Sequence, residues 1–343
     1  MLKPFPVLIL SDLRLIKWYA ALQPNGLCMV HFYEQIVLEL RRNPRLALGI
    51  ISGVKGSSPQ KQGAKALFLP DDRMVGTLGG GCLEAEIRRR ARQALVSGQP
   101  ATFELTLDHD FGWDDGLICG GTVRGLILPR AADALPIWSA LAQRDQARTW
   151  GVREDFSIAW VCDKAAGGWL YQETVSPPLA LWMAGSGHIA QAVAPLALTL
   201  DFDVTVFDDR PELANFGYFP PDTRLRVGNW GELLETPFPP QPALGLIVTR
   251  GHQHDADVLA EWIHRPFLFL GMIGSGRKAR IIREGFIKKK LATAQELDRL
   301  ACPVGLPIGA VSVHEIAVSI LAQYVQKRAE HLGEKSSAAP RAS

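Results

Sequence analysis

The segment from residue 179 to residue 209 constrains the fold more than any other part of the chain. The apolar run Leu179–Ala184 leads into Gly185-Ser-Gly-His-Ile-Ala190; a helical stretch follows to about residue 200, and a second apolar run at 203–207 ends in Asp208 and Asp209. Strand, glycine turn, helix and strand make a βαβ unit, in which the two strands lie parallel and the helix crosses back over them. Apolar runs at 244–249 and 267–273, with helical segments between and after them, continue the alternation. The pattern predicts a C-terminal Rossmann-like domain over residues 179–330, a doubly wound parallel sheet.

The turn itself has a chemistry. Gly185 and Gly187 permit a tight bend and let a pyrophosphate approach the backbone at the start of the next helix, where His188 stands and free N–H groups favour negative charge. Asp208, at the end of the second strand and twenty-three residues after Gly185, is spaced to accept from a ribose hydroxyl. Two readings are open at this point: a nucleotide site, or the same scaffold without a nicotinamide ligand.

The first half of the chain has a different texture. A helical pattern opens at Met29 with Phe32, Ile36 and Leu40 on one face. Strands are expected at 46–52, 64–69, 75–78, 102–107 and 122–128, with a Gly/Ser/Pro loop at 53–63, a helix at about 82–96 and a polar loop at 108–116. A helix and two strands about Gly167-Gly168 then lead to Pro177-Pro178, the expected boundary. The domains are thus a mixed α/β N-terminal domain over 29–176 and the Rossmann-like domain over 179–330. Residues 1–28 form an N-terminal extension, with Met29 read as the true start, and 331–343 a disordered tail.

Two Cys-glycine sites lie in the N-terminal domain. Gly79, Gly80 and Gly81 precede Cys82 at a helix start, where exposed backbone donors and the helix dipole favour a thiolate. Cys119 precedes Gly120 and Gly121. Either both thiols share a pocket as soft ligands, or both are small buried side chains beside packing glycines. Arg88, Arg89, Arg90 and Arg92 read as a solvated helix face, and His252, His254, Asp255 and Asp257 as a loop whose Asp255 caps the next helix rather than a metal cluster. Gly274-Ser-Gly276-Arg277-Lys278 is either an anion site or an ordinary strand-to-helix turn.

Composition narrows the class. Of 343 residues, 47% are hydrophobic and 21% charged, which makes a folded two-domain protein and argues against disorder over most of the length. A formal charge of +2 with no basic block gives no nucleic-acid arm. Every apolar run falls short of the roughly 20 residues that span a bilayer, so no membrane segment is expected. Asp12, Arg14 and Lys17 interrupt the N-terminal apolar stretch, which reads as non-secretory. Five cysteines without C-x-x-C spacing fit a reducing cytoplasm.

Taken in order, Gly56-Ser-Ser-Pro59, Gly63-Ala64, Gly76-Thr-Leu-Gly-Gly-Gly-Cys-Leu-Glu84, Cys119-Gly-Gly121, Gly185-Ser-Gly-His-Ile-Ala190, Gly271-Met-Ile-Gly-Ser275 and Glu315-Ile-Ala-Val-Ser-Ile320 resemble the XdhC/CoxI family, from about residue 30 to 328. These are maturation factors of molybdenum hydroxylases such as xanthine dehydrogenase and aldehyde oxidoreductase. The resemblance implies a chaperone that carries the molybdenum cofactor, as molybdopterin or its cytosine dinucleotide form, without using it. It implies protection of that cofactor, its sulfuration by a cysteine desulfurase and its insertion into the apo-hydroxylase, and a dimer as a family-level expectation. Cys82 and Cys119 would then meet molybdenum, while Gly185, Gly187, His188 and Asp208 hold a nucleotide portion. Gln60-Lys61-Gln62 stands where the family usually has arginine, and Ser312-Val313 where it has Thr-Pro. The rival classes are an NAD(P)- or flavin-dependent oxidoreductase built on the same glycine turn, and a scaffold that binds no cofactor.

Overall fold

Alternation along a single strand organises the N-terminal unit. The computed structural model describes residues 31–106, 121–163 and 166–337, and they divide into two units between Pro177 and Pro178. In the first, α1 (Phe32–Arg42) is followed by β1 (Ala47–Lys55), β2 (Lys65–Phe68), β3 (Met74–Gly76), α2 (Gly81–Ser97), β4 (Ala101–Thr106) and β5 (Thr122–Leu128). Next come α3 (Leu135–Gln143), β6 (Arg148–Arg153), β7 (Ile158–Trp160) and β8 (Trp169–Val175). The sheet β3-β2-β1-β5-β4 is antiparallel throughout. Side chains of a strand point alternately to its two faces. Leu48 and Ile50 join Tyr33, Ile36, Leu40, Trp138 and Trp150 under α1 and α3, whereas Ala47 and Ile51 join Leu83, Ile87 and Ala91 under α2. The helix α2 stops at Gly98, which takes a left-handed conformation (φ 69°) and donates its N–H to the Ala94 carbonyl.

A buried polar network ties the small sheet β7-β6-β8 to this core. Lys65 Nζ lies 2.6 Å from Glu173 Oε2, and the same oxygen accepts from Tyr33 Oη at 2.6 Å and Tyr171 Oη at 3.2 Å. Lys65 also donates to the Gly63 carbonyl at 2.8 Å, which anchors the end of the 53–63 loop. Burial pulls the Lys65 ammonium below the usual lysine range, and Glu173 partly restores it.

In the second unit, β9 (Leu179–Ala184), α4 (His188–Thr199), β10 (Phe202–Asp208), β11 (Arg224–Val227), α5 (Trp230–Leu234) and β12 (Ala243–Ile247) come first. They are followed by α6 (His252–Trp262), β13 (Phe269–Met272), α7 (Gly276–Lys288), α8 (Ala294–Leu297), β14 (Leu300–Ala301) and α9 (Val313–Ser337). The sheet runs β11-β10-β9-β12-β13-β14 with every pair parallel, so the fold is the Rossmann-like α/β arrangement that the glycine turn predicts. Helices α4 and α9 cover one face through Val193, Ala197, Ile320 and Tyr324; α6 and α7 cover the other through Val258, Trp262 and Phe286. Covered on both faces, β9 and β12 are buried along their whole length, which is why they read as unbroken apolar runs. The strand order reverses between β9 and β12, and in such sheets ligands bind outside the carboxyl ends of the strands at that point.

Several boundaries differ from expectation. β1 runs through Gly53 to Lys55, because a bulge leaves Ser52 unpaired between Ile51 and Gly53 and the strand keeps pairing with β5 from Gly53 onward. β6 was hidden by Gly151 in its middle: a Cβ there would lie 2.5 Å from the Tyr171 carbonyl oxygen and 2.7 Å from the Trp169 ring. The last helix continues past Leu332 to Ser337, since a capped helix propagates at one hydrogen bond per residue through good formers such as Glu334 and Lys335. Its cap is reciprocal: Ser312 N–H donates to Glu315 Oε2 at 2.8 Å and Glu315 N–H to Ser312 Oγ at 3.3 Å. Among the described residues, no helix is long and apolar enough to cross a membrane.

Candidate functional site

In the N-terminal unit the glycine triplet makes the start of α2. Gly79, Gly80 and Gly81 all have positive φ, at 123°, 73° and 56°, and an added Cβ at Gly80 or Gly81 would meet nothing within 4 Å. Gly79 is tighter, with its Cβ position 3.1 Å from the Pro59 side chain. Gly121 is buried against the same loop, its Cβ position 2.0 Å from the Ser57 carbonyl oxygen. The 56–63 loop therefore touches both glycine segments. Cys119 and Gly120, like Met29 and the 108–116 loop, lie outside the described residues.

Part of the triplet's backbone donors is taken up from within the helix. Glu84, one turn into α2, folds back, and its Oε2 accepts from Thr77 Oγ1 at 3.1 Å, Leu78 N–H at 3.2 Å and Gly80 N–H at 3.3 Å. The carboxylate does for its own helix start what an anion would have done. The amides of Gly81 and Cys82, in the first turn, have no intrahelical partner. Cys82 is half-buried and its thiol is free. From Gly81 an open groove of about 390 Å³ runs along the helix, lined by Glu84, Ala85, Arg88, Arg89 and Arg92. Arg89 and Arg92 lie on a solvated face, as read, and the run is paired there: Arg89 and Arg90 with Glu86, Arg92 with Asp72, while Arg88 reaches the Asp72 carbonyl.

In the C-terminal unit the turn after β9 is equally specified. Gly185 has φ 113°, and a Cβ there would sit 2.3 Å from the Val248 carbonyl oxygen; this close approach to the end of β12 admits only glycine. Gly187 precedes α4 with open space where its Cβ would be, and His188 is exposed at the first helical position. Ser186 is fully buried, and its hydroxyl has no partner among the described residues.

Asp208 stands at the end of β10, where the spacing put it, but its acceptor sites are taken. Oδ2 accepts from Ser186 N–H at 2.6 Å and Arg210 Nη2 at 2.9 Å; Oδ1 accepts from Arg210 N–H at 2.9 Å and Arg210 Nε at 2.8 Å. A carboxylate offers about four acceptor sites. None remains for the expected ribose hydroxyl in this arrangement, because the acid holds the turn instead. Burial pushes Asp208 up, but the Arg210 guanidinium and the Ser186 amide outweigh it and bring the carboxyl to about 2.

A cluster that sequence reasoning left unassembled occupies the rest of the carboxyl edge. Asp255 does not cap α6; it lies inside the first turn, 1% exposed, and accepts from Thr249 Oγ1 at 2.7 Å and Lys278 Nζ at 2.5 Å. Lys278 also donates to the Ile273 carbonyl at 2.9 Å. Gly274 makes room for the cluster, since a Cβ there would lie 2.7 Å from Lys278 Cδ and 3.3 Å from Cys302 Sγ. Burial pushes the Cys302 thiol up, the Lys278 ammonium pulls it down, and Asp255 pushes it up again. The segment at 274–278 was visible as a possible anion turn, but nothing in its spacing pointed to a cysteine after β14. His254 stacks on Trp230, and no group of the described residues has the makings of a metal cluster. A cavity of about 400 Å³ lies at the amino ends of β13 and β14, away from the edge where parallel sheets bind ligands.

Against known proteins, residues 181–324 match the model of the XdhC Rossmann domain and residues 40–107 that of the XdhC and CoxI family. The uncharacterized protein YqeB of Escherichia coli K12 is 28% identical over 296 residues, 86% of this chain but 46% of its own length, so the chain spans about half of that relative. A protein of Bacillus subtilis 168 named as a probable xanthine dehydrogenase subunit is 24% identical over 336 residues, covering 88% of this chain and 98% of that protein. The molybdenum cofactor insertion chaperone PaoD of Escherichia coli K12 is 25% identical over 283 residues, covering 80% and 81%. A crystal structure described as a xanthine dehydrogenase from Bacillus halodurans shares the fold, with a TM-score of 0.73 at 24% identity over 87% of this chain and 96% of that one.

Proposed function

Since the chain belongs to the XdhC and CoxI family, with one matching segment in each of its two units, we propose that it is a molybdenum-cofactor chaperone. It binds the cofactor, shields it, assists its sulfuration by a cysteine desulfurase and delivers it to an apo molybdenum hydroxylase. The observation that carries this reading is the groove at the start of α2: Gly81, Glu84 and three arginines border one open space, and the half-buried Cys82 follows Gly81 in the first turn. That donor set suits a ligand with an anionic tail and a soft metal. In the other unit, the unpartnered Ser186 hydroxyl and the open Gly187 turn suit a phosphate.

When bound, the cofactor supplies a redox-active molybdenum on a pterin dithiolene, which the recipient hydroxylase uses and this chain only carries. Cys82 and Cys119 are the thiols that would face the metal. Gly81 and Cys82 would donate their amides to an anionic group, and the arginines of α2 would raise its local concentration. The Gly185–Gly187 turn and the first amides of α4 would hold the nucleotide portion, with Asp208 acting through the turn that it positions. The oxidoreductase alternative is disfavoured by the four donors already on Asp208, the acid a nicotinamide ribose would require.

Anaerobic purification followed by metal and pterin analysis, and then transfer to an apo-hydroxylase, tests the proposal. The native chain should carry molybdenum and pterin and activate the recipient. Cys82→Ala and Cys119→Ala should each lose bound cofactor while remaining folded. Full loading and full activation by both variants would reject the thiol roles.

A further inference from the structure

Three observations single out the far side of the carboxyl edge in the C-terminal unit. First, the groups come together from the ends of three adjacent parallel strands: Thr249 and Asp255 after β12, Lys278 after β13, and Cys302 after β14. Second, Asp255 and Lys278 form a largely buried ion pair 2.5 Å apart, with side chains 1% and 13% exposed. Such a pair carries a desolvation cost that well-packed apolar residues would avoid, so it is weak as a device for stability and is often found where a site needs a fixed charge. Third, Gly274 leaves the space in which the lysine stem and the thiol lie side by side.

The cluster is continuous with the glycine turn. Gly185 approaches the Val248 carbonyl and the Thr249 Cα, and Thr249 donates its hydroxyl to Asp255. From β9 to β14 there are three strand spacings, about 14 Å at 4.7–4.9 Å each. A dinucleotide-sized molecule with its phosphates on the turn spans that distance.

We propose that Lys278 and Cys302, held by Asp255 and Thr249, form the second half of a ligand site in this unit. There they receive the anionic, sulfur-bearing end of a nucleotide-type ligand whose diphosphate rests on the Gly185 turn. The inference rests on the reading that this turn holds the cofactor's nucleotide portion. Lys278 supplies the fixed positive charge. Cys302, half-buried, supplies a soft contact beside it.

The test uses the full chain, with molybdopterin cytosine dinucleotide cofactor and CDP as probes. Equilibrium dialysis measures binding, and peptide mass spectrometry measures the rate at which iodoacetamide alkylates Cys302. Bound cofactor should slow that alkylation at least about tenfold, whereas bound CDP, which reaches only the turn, should change it less than about twofold. Cys302→Ser should weaken the cofactor about tenfold and leave CDP affinity within about twofold. Cofactor that binds normally while Cys302 stays fully reactive, or Cys302→Ser protein with native cofactor affinity, overturns the inference alone. If neither probe binds, the nucleotide reading of the turn fails, and the inference falls with it.

Discussion

The two glycine turns of this chain look alike as sequence and are built on opposite principles. Before α2, the carboxylate that satisfies the loop amides comes from inside the helix: Glu84 reaches back over a turn whose Gly80 and Gly81 face open space. Before α4, the carboxylate comes from the next strand. Asp208 holds the Ser186 amide, Arg210 closes on the acid, and Gly185 is pressed against β12. One turn is an exposed rim, open at Gly80 and Gly81; the other is buried and braced by three strands at Gly185 and Ser186 and open at Gly187. Glycine content marks where backbone can approach something, and the neighbours decide whether that something is a ligand or the protein itself.

The largest effect should come from Gly185→Ala. A Cβ 2.3 Å from a carbonyl oxygen at φ 113° forces β9 and β12 apart, which should cost the C-terminal unit at least about 4 kcal/mol. The matching change Gly80→Ala meets no atom and pays only for its backbone conformation, about 2 kcal/mol. Hydrogen exchange read by mass spectrometry, strand by strand, checks both without assuming that the two units unfold together. Equal costs would show that the turns are built alike.

The middle effect separates the two acids by pH. Asp208 sits at about 2 in the folded protein against an ordinary 3.8, so its ionised form stabilises the native state above about pH 4. That contribution is lost as the pH falls toward 2, and the shift corresponds to about 2 kcal/mol. Asp208→Asn should therefore destabilise the C-terminal unit by about 2 to 3 kcal/mol at neutral pH, with Arg210 left largely without its counterion. The variant should also lose this part of the acid sensitivity between pH 4 and 2. Exchange protection of β9 and α4 across that range is the measurement, and an unchanged acid profile would count against the role assigned to Asp208.

Most of the architecture was legible because the physics that set it is local or periodic. The parallel sheet was visible in runs such as 244–249, apolar as far as Val248 because both faces of β12 are covered, and the start of α9 in the Ser312–Glu315 spacing. What escaped was whatever depends on side chains arriving from distant segments. Asp255 gives no sign in its own neighbourhood that Lys278, twenty-three residues on, will pair with it, or that Cys302 will lie against Gly274. Asp208 was correctly spaced for a ribose contact, yet Arg210 two residues later fills it. Spacing locates a carboxylate; the donors around it determine what it has left to give.

The smallest effect tests the exposed turn. Glu84→Gln keeps an amide oxygen that can still accept from Leu78 and Gly80, so what is removed is the interaction of a full negative charge with the start of α2. At a solvated helix end that interaction contributes about 0.5 kcal/mol and weakens with salt. Slightly faster exchange in the first turn of α2, abolished at high ionic strength, is the expected result. If Glu84→Gln instead cost as much as Asp208→Asn, the first turn would be a structural joint like the second.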